Sequence, residues 1–216
     1  MTDEKRKFLT CVKIPLIFVS VTIIVKVVEF LFNLNFVSFG IYPRTFTGLR
    51  GIFFAPLIHA NINHLYSNIP TLFVLGTSVF YFYPEISKKV VILIYLFTGM
   101  LVWCFARQNY HIGASGILYG LFFFLFFSGI FRKDRRSITL SVLTLFFYGS
   151  IAYGIFPVKE EISWESHLFG SIIGIFTAYI FRKKDVYKQY DWEDEEEDFD
   201  VRNLKISHKN FRNNIK

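Results

Sequence analysis

Apolar residues run through this chain in blocks separated by short polar connections. Six blocks can be drawn: about Ile14 to Phe36, Leu65 to Tyr83, Val90 to Ala106, Ser115 to Phe131, Ile138 to Phe156, and His167 to Phe181. Several reach the roughly 20 residues that a bilayer-crossing helix needs. The blocks are continuous rather than alternating, which predicts helices and argues against a β-barrel. The longest connection, about Val37 to Asn63, is itself apolar at Ile52, Phe53, Phe54, Leu57 and Ile58. A loop of that length and character is expected to fold partly into the membrane interface. The pattern predicts an all-α membrane protein with six transmembrane helices.

Charge placement orients the six spans. Lys5, Arg6, Lys7 and Lys13 precede the first, and Lys88 and Lys89 lie between the second and third. Arg132, Lys133, Arg135 and Arg136 separate the fourth and fifth, and Arg182, Lys183 and Lys184 follow the sixth. The alternate connections hold only Arg44, Arg50, Arg107 and Lys159. Positive charge stays on the cytoplasmic side, so both termini are expected inside, and spans two, four and six begin at the outer face. The reading gives three regions: a basic cytoplasmic segment 1–13, a membrane domain 14–184, and a charged tail 185–216. No small-residue cleavage site follows the first span, so it is expected to be retained. The tail turns from acidic (Glu193 to Asp200) to basic and Asn-rich (Arg202 to Lys216), and is expected to be solvated and largely disordered.

Composition agrees with this picture. Of 216 residues, 53% are hydrophobic and 28 are Phe, and the mean hydropathy is +0.39. The formal net charge of +7 sits mostly in loops and tails beside the spans, where it serves orientation and not nucleic-acid binding. Cys11 and Cys104 form neither a disulfide framework nor a metal spacing. No cofactor is implied.

The polar residues at the outer ends carry the candidate chemistry. Gly113-Ala114-Ser115-Gly116 opens the fourth span. A serine hydroxyl is a weak nucleophile until a base takes its proton. Flanking glycines allow a tight turn and close approach of a substrate carbonyl, and a helix start offers unpaired N–H groups for an oxyanion. His167 opens the sixth span, and intramembrane ionisable residues are costly and usually functional. Gly170 and Gly174 share its helical face, while Gly116 and Gly120 stand four apart in the fourth span. Small residues at such spacing let helix backbones pack closely. Meeting of the two faces would join Ser115 and His167. Tyr119, one turn below Ser115, could stack on the imidazole or be one more aromatic among many. No carboxylate is placed to complete a triad. Glu29 pairs with Lys26 in the first span, away from any motif, and Glu165 points away from His167. A Ser–His dyad is the expectation. His64 and Asn68 share a face at the start of span two and could donate to an oxyanion. With His59 they could instead form a polar cluster holding the long loop. A metal is not expected, because the spacing lacks His-Glu-x-x-His and an accompanying carboxylate.

Taken together, these residues resemble the rhomboid family of intramembrane serine proteases over about Gly40 to Phe181. The resemblance rests on Tyr42-Pro43-Arg44, Gly48-Leu49-Arg50-Gly51, and the run from His59 through His64 to Asn68. It rests also on Gly113-Ala114-Ser115-Gly116 with Tyr119, and on His167 with Gly170 and Gly174. It implies a six-transmembrane-helix rhomboid-like bundle around a water-filled cavity open to the outside, in the plasma membrane of a bacterium. Ser115 would be the nucleophile and His167 the general base. His64, Asn68 and the Ser115 backbone N–H would form the oxyanion site, and Gly113 would let the loop before Ser115 reach it. Substrates would be transmembrane proteins cut near their outer ends. The other reading is a non-proteolytic rhomboid-like protein that binds or escorts membrane clients; such proteins usually lack the serine or the histidine. Three positions depart from the family pattern: Leu49 for a common Trp, Ser166 for a common Ala, and Pro70, expected to kink the second helix below Asn68.

Overall fold

The fold, seen in a computed structural model that describes residues 2–157, 162–185 and 187, contains helices and no named strand among those residues. Helix α1 covers Asp3–Leu31, α2 is the single turn Gly51–Phe54, and α3 covers Ile62–Phe82. They are followed by α4 (Ser87–Phe105), α5 (Ser115–Arg132), α6 (Arg135–Tyr148) and α7 (Trp164–Ile180). Among the described residues, five segments are long and apolar enough to cross a membrane: α1, α3, α4, α5, and α6 continued through Ile155. At 17 residues, α7 measures about 26 Å at 1.5 Å per residue, which is at the short end for a span.

Helix α5 is the hub. Two thirds of its span (67%) is buried, against at most 39% in the other four. Its surroundings invert the usual surface rule. Phe30, Phe105, Phe146 and Tyr66 project outward, whereas Thr98, Ser128, Ser137, Ser141 and Thr177 are buried. That is the arrangement of a protein whose solvent is lipid, with small polar residues where helices meet.

Close packing around α5 uses glycine on both sides. A Cβ added to Gly170 or Gly174 of α7 would lie 2.1 Å from the Gly116 carbonyl oxygen or 2.3 Å from that of Gly120. The two glycines of α5 give the same room to α4: a Cβ on Gly116 would reach Thr98 at 3.0 Å, and one on Gly120 would reach Ile94 at 2.3 Å. The expected glycine faces therefore meet, but Gly116 and Gly120 admit a third helix rather than facing Gly170 and Gly174 alone.

Several limits differ from the sequence reading. The first helix starts at Asp3, not near Ile14, with Asp3 and Glu4 in its first turn, where acids suit the positive end of the helix dipole. It stops at Leu31 rather than Phe36. There the Glu29 carbonyl accepts from Leu34 N–H, its carboxylate accepts from Phe36 N–H (2.8 Å), and Asn33 takes a left-handed φ of 50°. The fifth span is two pieces: α6 passes into a 3₁₀ segment, Gly149–Ile155. The tail, apart from residues 185 and 187, lies outside the described residues, as do residues 158–161 of the connection before α7.

The long connection between α1 and α3 folds back onto the bundle as short turns. Ile41 forms an antiparallel bridge with His111. Arg44 donates to the Ala106 carbonyl at 2.8 Å, and Trp103 Nε1 donates to the Thr45 carbonyl at 2.9 Å. Phe46, Phe53 and Phe54 stay exposed.

Candidate active site

Ser115 begins the central helix because the chain can turn sharply just before it. Gly113 has φ +108°, a conformation open to glycine at no steric cost. Its missing side chain also makes room: a Cβ there would lie 2.7 Å from His64 Cε1. Gly113 N–H donates to the Ala55 carbonyl at 2.9 Å. No side chain caps α5, so its first turn keeps N–H groups without helical partners.

Helix α7 brings His167 across from the other side. Its Nε2 lies 2.8 Å from Ser115 Oγ, and both residues are buried. Its Nδ1 lies 2.8 Å from the carbonyl oxygen of Gly154, in the 3₁₀ segment. A carbonyl can only accept, so Nδ1 carries the hydrogen and Nε2 presents its lone pair. The hydroxyl of Ser115 is then the donor to Nε2. The ring of Tyr119 lies flat against the imidazole, with centroids 4.1 Å apart and planes 4° from parallel.

The residues at the start of α3 are set by a local cap. Asn61 Oδ1 accepts from His64 N–H at 2.8 Å, which starts the helix and aligns His64 with Asn68. The His64 ring stands against Gly113 and edge-on to His59, centroids 5.0 Å apart. Asn68 donates to the His64 backbone carbonyl at 2.6 Å, which leaves its second amide hydrogen for the cavity. A cavity of about 1130 Å³ opens over this region, lined by Ser115, His167, His64, Asn68, Tyr119 and Ser150 among others. Thus Ser115, His167, Tyr119, His64, Asn68 and Gly113 converge, and Gly116, Gly170 and Gly174 hold the helices that carry them.

His59 is buried, and its Nε2 accepts from Ala114 N–H at 3.4 Å. Burial, helped by the neighbouring His64, pushes its pKa down to about 3. A neutral ring suits an acceptor role. Among the described residues, no group of three or more His, Cys, Asp and Glu is arranged to hold a metal ion.

Two features escaped the sequence. The Gly154 carbonyl stands where a triad carboxylate would, and backbone atoms leave no residue-type signal. Glu165 instead pairs with Arg107 at 3.2 Å, in line with its expected turn away from His167. The Lys26–Glu29 pair, 3.0 Å apart, is not remote from the motifs. Lys26 Nζ also donates to the carbonyls of His59 (2.9 Å) and Ala60 (3.3 Å). Because α1 ends at Leu31, the pair sits in the last two turns of that helix and not deep within it, where it anchors the residues leading into α3.

Comparison with known proteins agrees with this architecture. The family model for the Rhomboid domain matches residues 46–184. An uncharacterized protein of Mycobacterium tuberculosis is 33% identical over 176 residues, covering 76% of this chain and 72% of that protein. A protein of Mycobacterium bovis matches to the same extent. One of Mycobacterium leprae is 30% identical over 174 residues, 76% of this chain and 69% of its own. The chain belongs to the rhomboid family. It is an integral membrane protein with an all-helical, rhomboid-like bundle, in a family of intramembrane-protease type.

Proposed function

We propose that this protein is an intramembrane serine endopeptidase acting through a dyad of Ser115 and His167. The observation that carries this reading is the line from the Gly154 carbonyl through both ring nitrogens of His167 to Ser115 Oγ, each contact 2.8 Å. It holds the one tautomer in which Nε2 can take the serine proton.

In the first step Ser115 Oγ bonds to the scissile carbonyl carbon while its proton passes to His167 Nε2. The oxyanion is met by the Ser115 backbone N–H and the positive end of α5, with His64 and the free amide hydrogen of Asn68 as further donors. On collapse, the C–N bond breaks and the imidazolium gives its proton to the leaving nitrogen. Water then adds to the acyl ester with His167 again as base, releasing a carboxylate and restoring Ser115. The cavity of about 1130 Å³ supplies room for that water. No cofactor enters.

The substrates in this reading are transmembrane proteins cut near the outer face. An intact helix hides its peptide bonds, so the substrate must unwind locally. Lateral access past α6 and the connection before α7 predicts that cross-linking α6 to α3 stops cleavage of membrane substrates; unchanged cleavage under complete cross-linking would reject that route. In this reading both termini lie in the cytoplasm of a bacterial cell and the site near the outer side of its plasma membrane, a topology supported by the gathering of basic residues in alternate connections. Residues 14–184 are the membrane domain, and 185–216 a cytoplasmic extension.

A fluorophosphonate probe tests the dyad. It should label Ser115 in the wild type and fail with Ser115→Ala and His167→Ala. Equal labelling after His167→Ala would reject His167 as base. Binding of membrane clients without cleavage gives no role to the hydrogen bond between Ser115 and His167, so the geometry favours the protease.

A further inference from the structure

Ser115 and His167 are carried on different helices, so their separation depends on how the segments ahead of those helices are joined. Residues 107–113 lead to α5, and residues 162–166 lead into and begin α7. His111 stands where they meet. Its backbone exchanges both hydrogen bonds with Ile41, at 2.8 and 3.0 Å, and its side chain is 2% exposed as a residue. Nε2 lies 2.9 Å from the Arg107 carbonyl, and Nδ1 lies 2.6 Å from Ser163 Oγ. Ser163 Oγ is in turn 2.6 Å from Ser166 Oγ, on the residue before His167.

The partners set the hydrogens. The Arg107 carbonyl accepts, so Nε2 carries a proton. In the neutral ring Nδ1 then accepts from the Ser163 hydroxyl, which itself accepts from Ser166. Burial lowers the His111 pKa, against the upward pull of the Arg107 carbonyl and Glu165, in keeping with a neutral ring. Arg107 and Glu165 link the same two segments, but the Arg107 side chain is 35% exposed and long enough to follow a displacement. The His111 link is short, with the imidazole buried and Ser163 and Ser166 half-buried.

We propose that His111 is a positioning residue that sets the approach of His167 to Ser115 by tying the segment before the serine, through Ser163 and Ser166, to the first turn of the histidine's helix. The proposal rests on the reading of Ser115 and His167 as the catalytic pair. A displacement of about 1 Å between such groups can cost on the order of a hundredfold in rate.

The full-length protein in liposomes provides the test, with the variants His111→Asn, His111→Gln and Ser163→Ala. Three quantities are read: kcat and KM on a single-span reporter, the rate of Ser115 labelling by a fluorophosphonate, and the thermal midpoint. The Asn carbonyl falls near the place of Nδ1 and can accept from Ser163. The Gln amide reaches toward the Arg107 carbonyl and leaves Ser163 unmet. His111→Asn should stay within about threefold of wild type, whereas His111→Gln and Ser163→Ala should each lose roughly tenfold to a hundredfold in kcat and labelling, with KM nearly unchanged. Combining His111→Gln with Ser163→Ala should add little, since both cut one link. Wild-type labelling rates in His111→Gln or Ser163→Ala, additive losses, or losses that follow the thermal midpoint would overturn the proposal. If Gln does not fold, Ser163→Ala alone decides. A wild type that neither cleaves nor labels would instead overturn the protease reading, and this proposal with it.

Discussion

The imidazole of His167 lies flat on the ring of Tyr119, with centroids 4.1 Å apart and planes 4° from parallel. A stacked ring can tilt only by losing that contact, so Tyr119 restrains the imidazole while the Gly154 carbonyl sets its rotation. The stack needs an aromatic face and not the phenol oxygen. Tyr119→Phe should keep kcat/KM within about threefold, and Tyr119→Leu should lose tenfold or more. Equal activities for the two variants would remove the stack from the account.

Gly154 has no room for a side chain. A Cβ would stand 1.9 Å from the Tyr119 hydroxyl oxygen and 3.2 Å from His167 Nδ1. Gly154→Ala should displace the carbonyl that holds the histidine tautomer and lower kcat by about a hundredfold. Measuring kcat beside the thermal midpoint separates this from unfolding. Activity close to wild type would show that the Nδ1 contact is dispensable.

The packing of α7 on α5 makes a stability prediction. A Cβ at Gly170 would come within 2.1 Å of the Gly116 carbonyl oxygen, and backbone cannot yield as a flexible side chain can. Gly170→Ala should destabilise by about 1–3 kcal/mol, the usual cost of overpacking, and also slow catalysis by moving His167. An unchanged thermal midpoint in detergent would contradict the packing described.

Acid should weaken the fold through His59. Its pKa is pushed from 6.5 to about 3 in the folded protein, so between those values the unfolded chain binds a proton that the folded one refuses. The stability from the neutral ring is complete above about pH 6.5 and is lost progressively as pH falls toward 3. Thermal midpoints measured from pH 7.5 to 4 should fall more steeply for wild type than for His59→Gln, which does not titrate. Parallel slopes would exclude His59 as the source.

Much of this molecule was legible in its sequence, for physical reasons that differ by element. Helices crossing lipid must be long and apolar, so the spans could be read as blocks. Gly170 and Gly174 announced a close helix contact through their spacing, and Ser115 and His167 stood out as polar residues at span ends. What stayed hidden is carried by backbone or by tertiary contact. The Gly154 carbonyl has no side-chain identity, and its position depends on α6 tightening into a 3₁₀ segment. The role of Lys26 depends on where His59 and Ala60 place their carbonyls, 33 and 34 residues away. The two segments joined by His111 and Ser163 are 52 residues apart in sequence, and no local periodicity links them.

The most direct test of the central claim is cleavage of a single-span reporter in liposomes by the intact protein and by Ser115→Ala. A protease working through Ser115 should cut near the reporter's outer membrane edge, and Ser115→Ala should abolish that cut. Cleavage that persists in Ser115→Ala, or none by folded wild-type protein across several reporters, would contradict that claim.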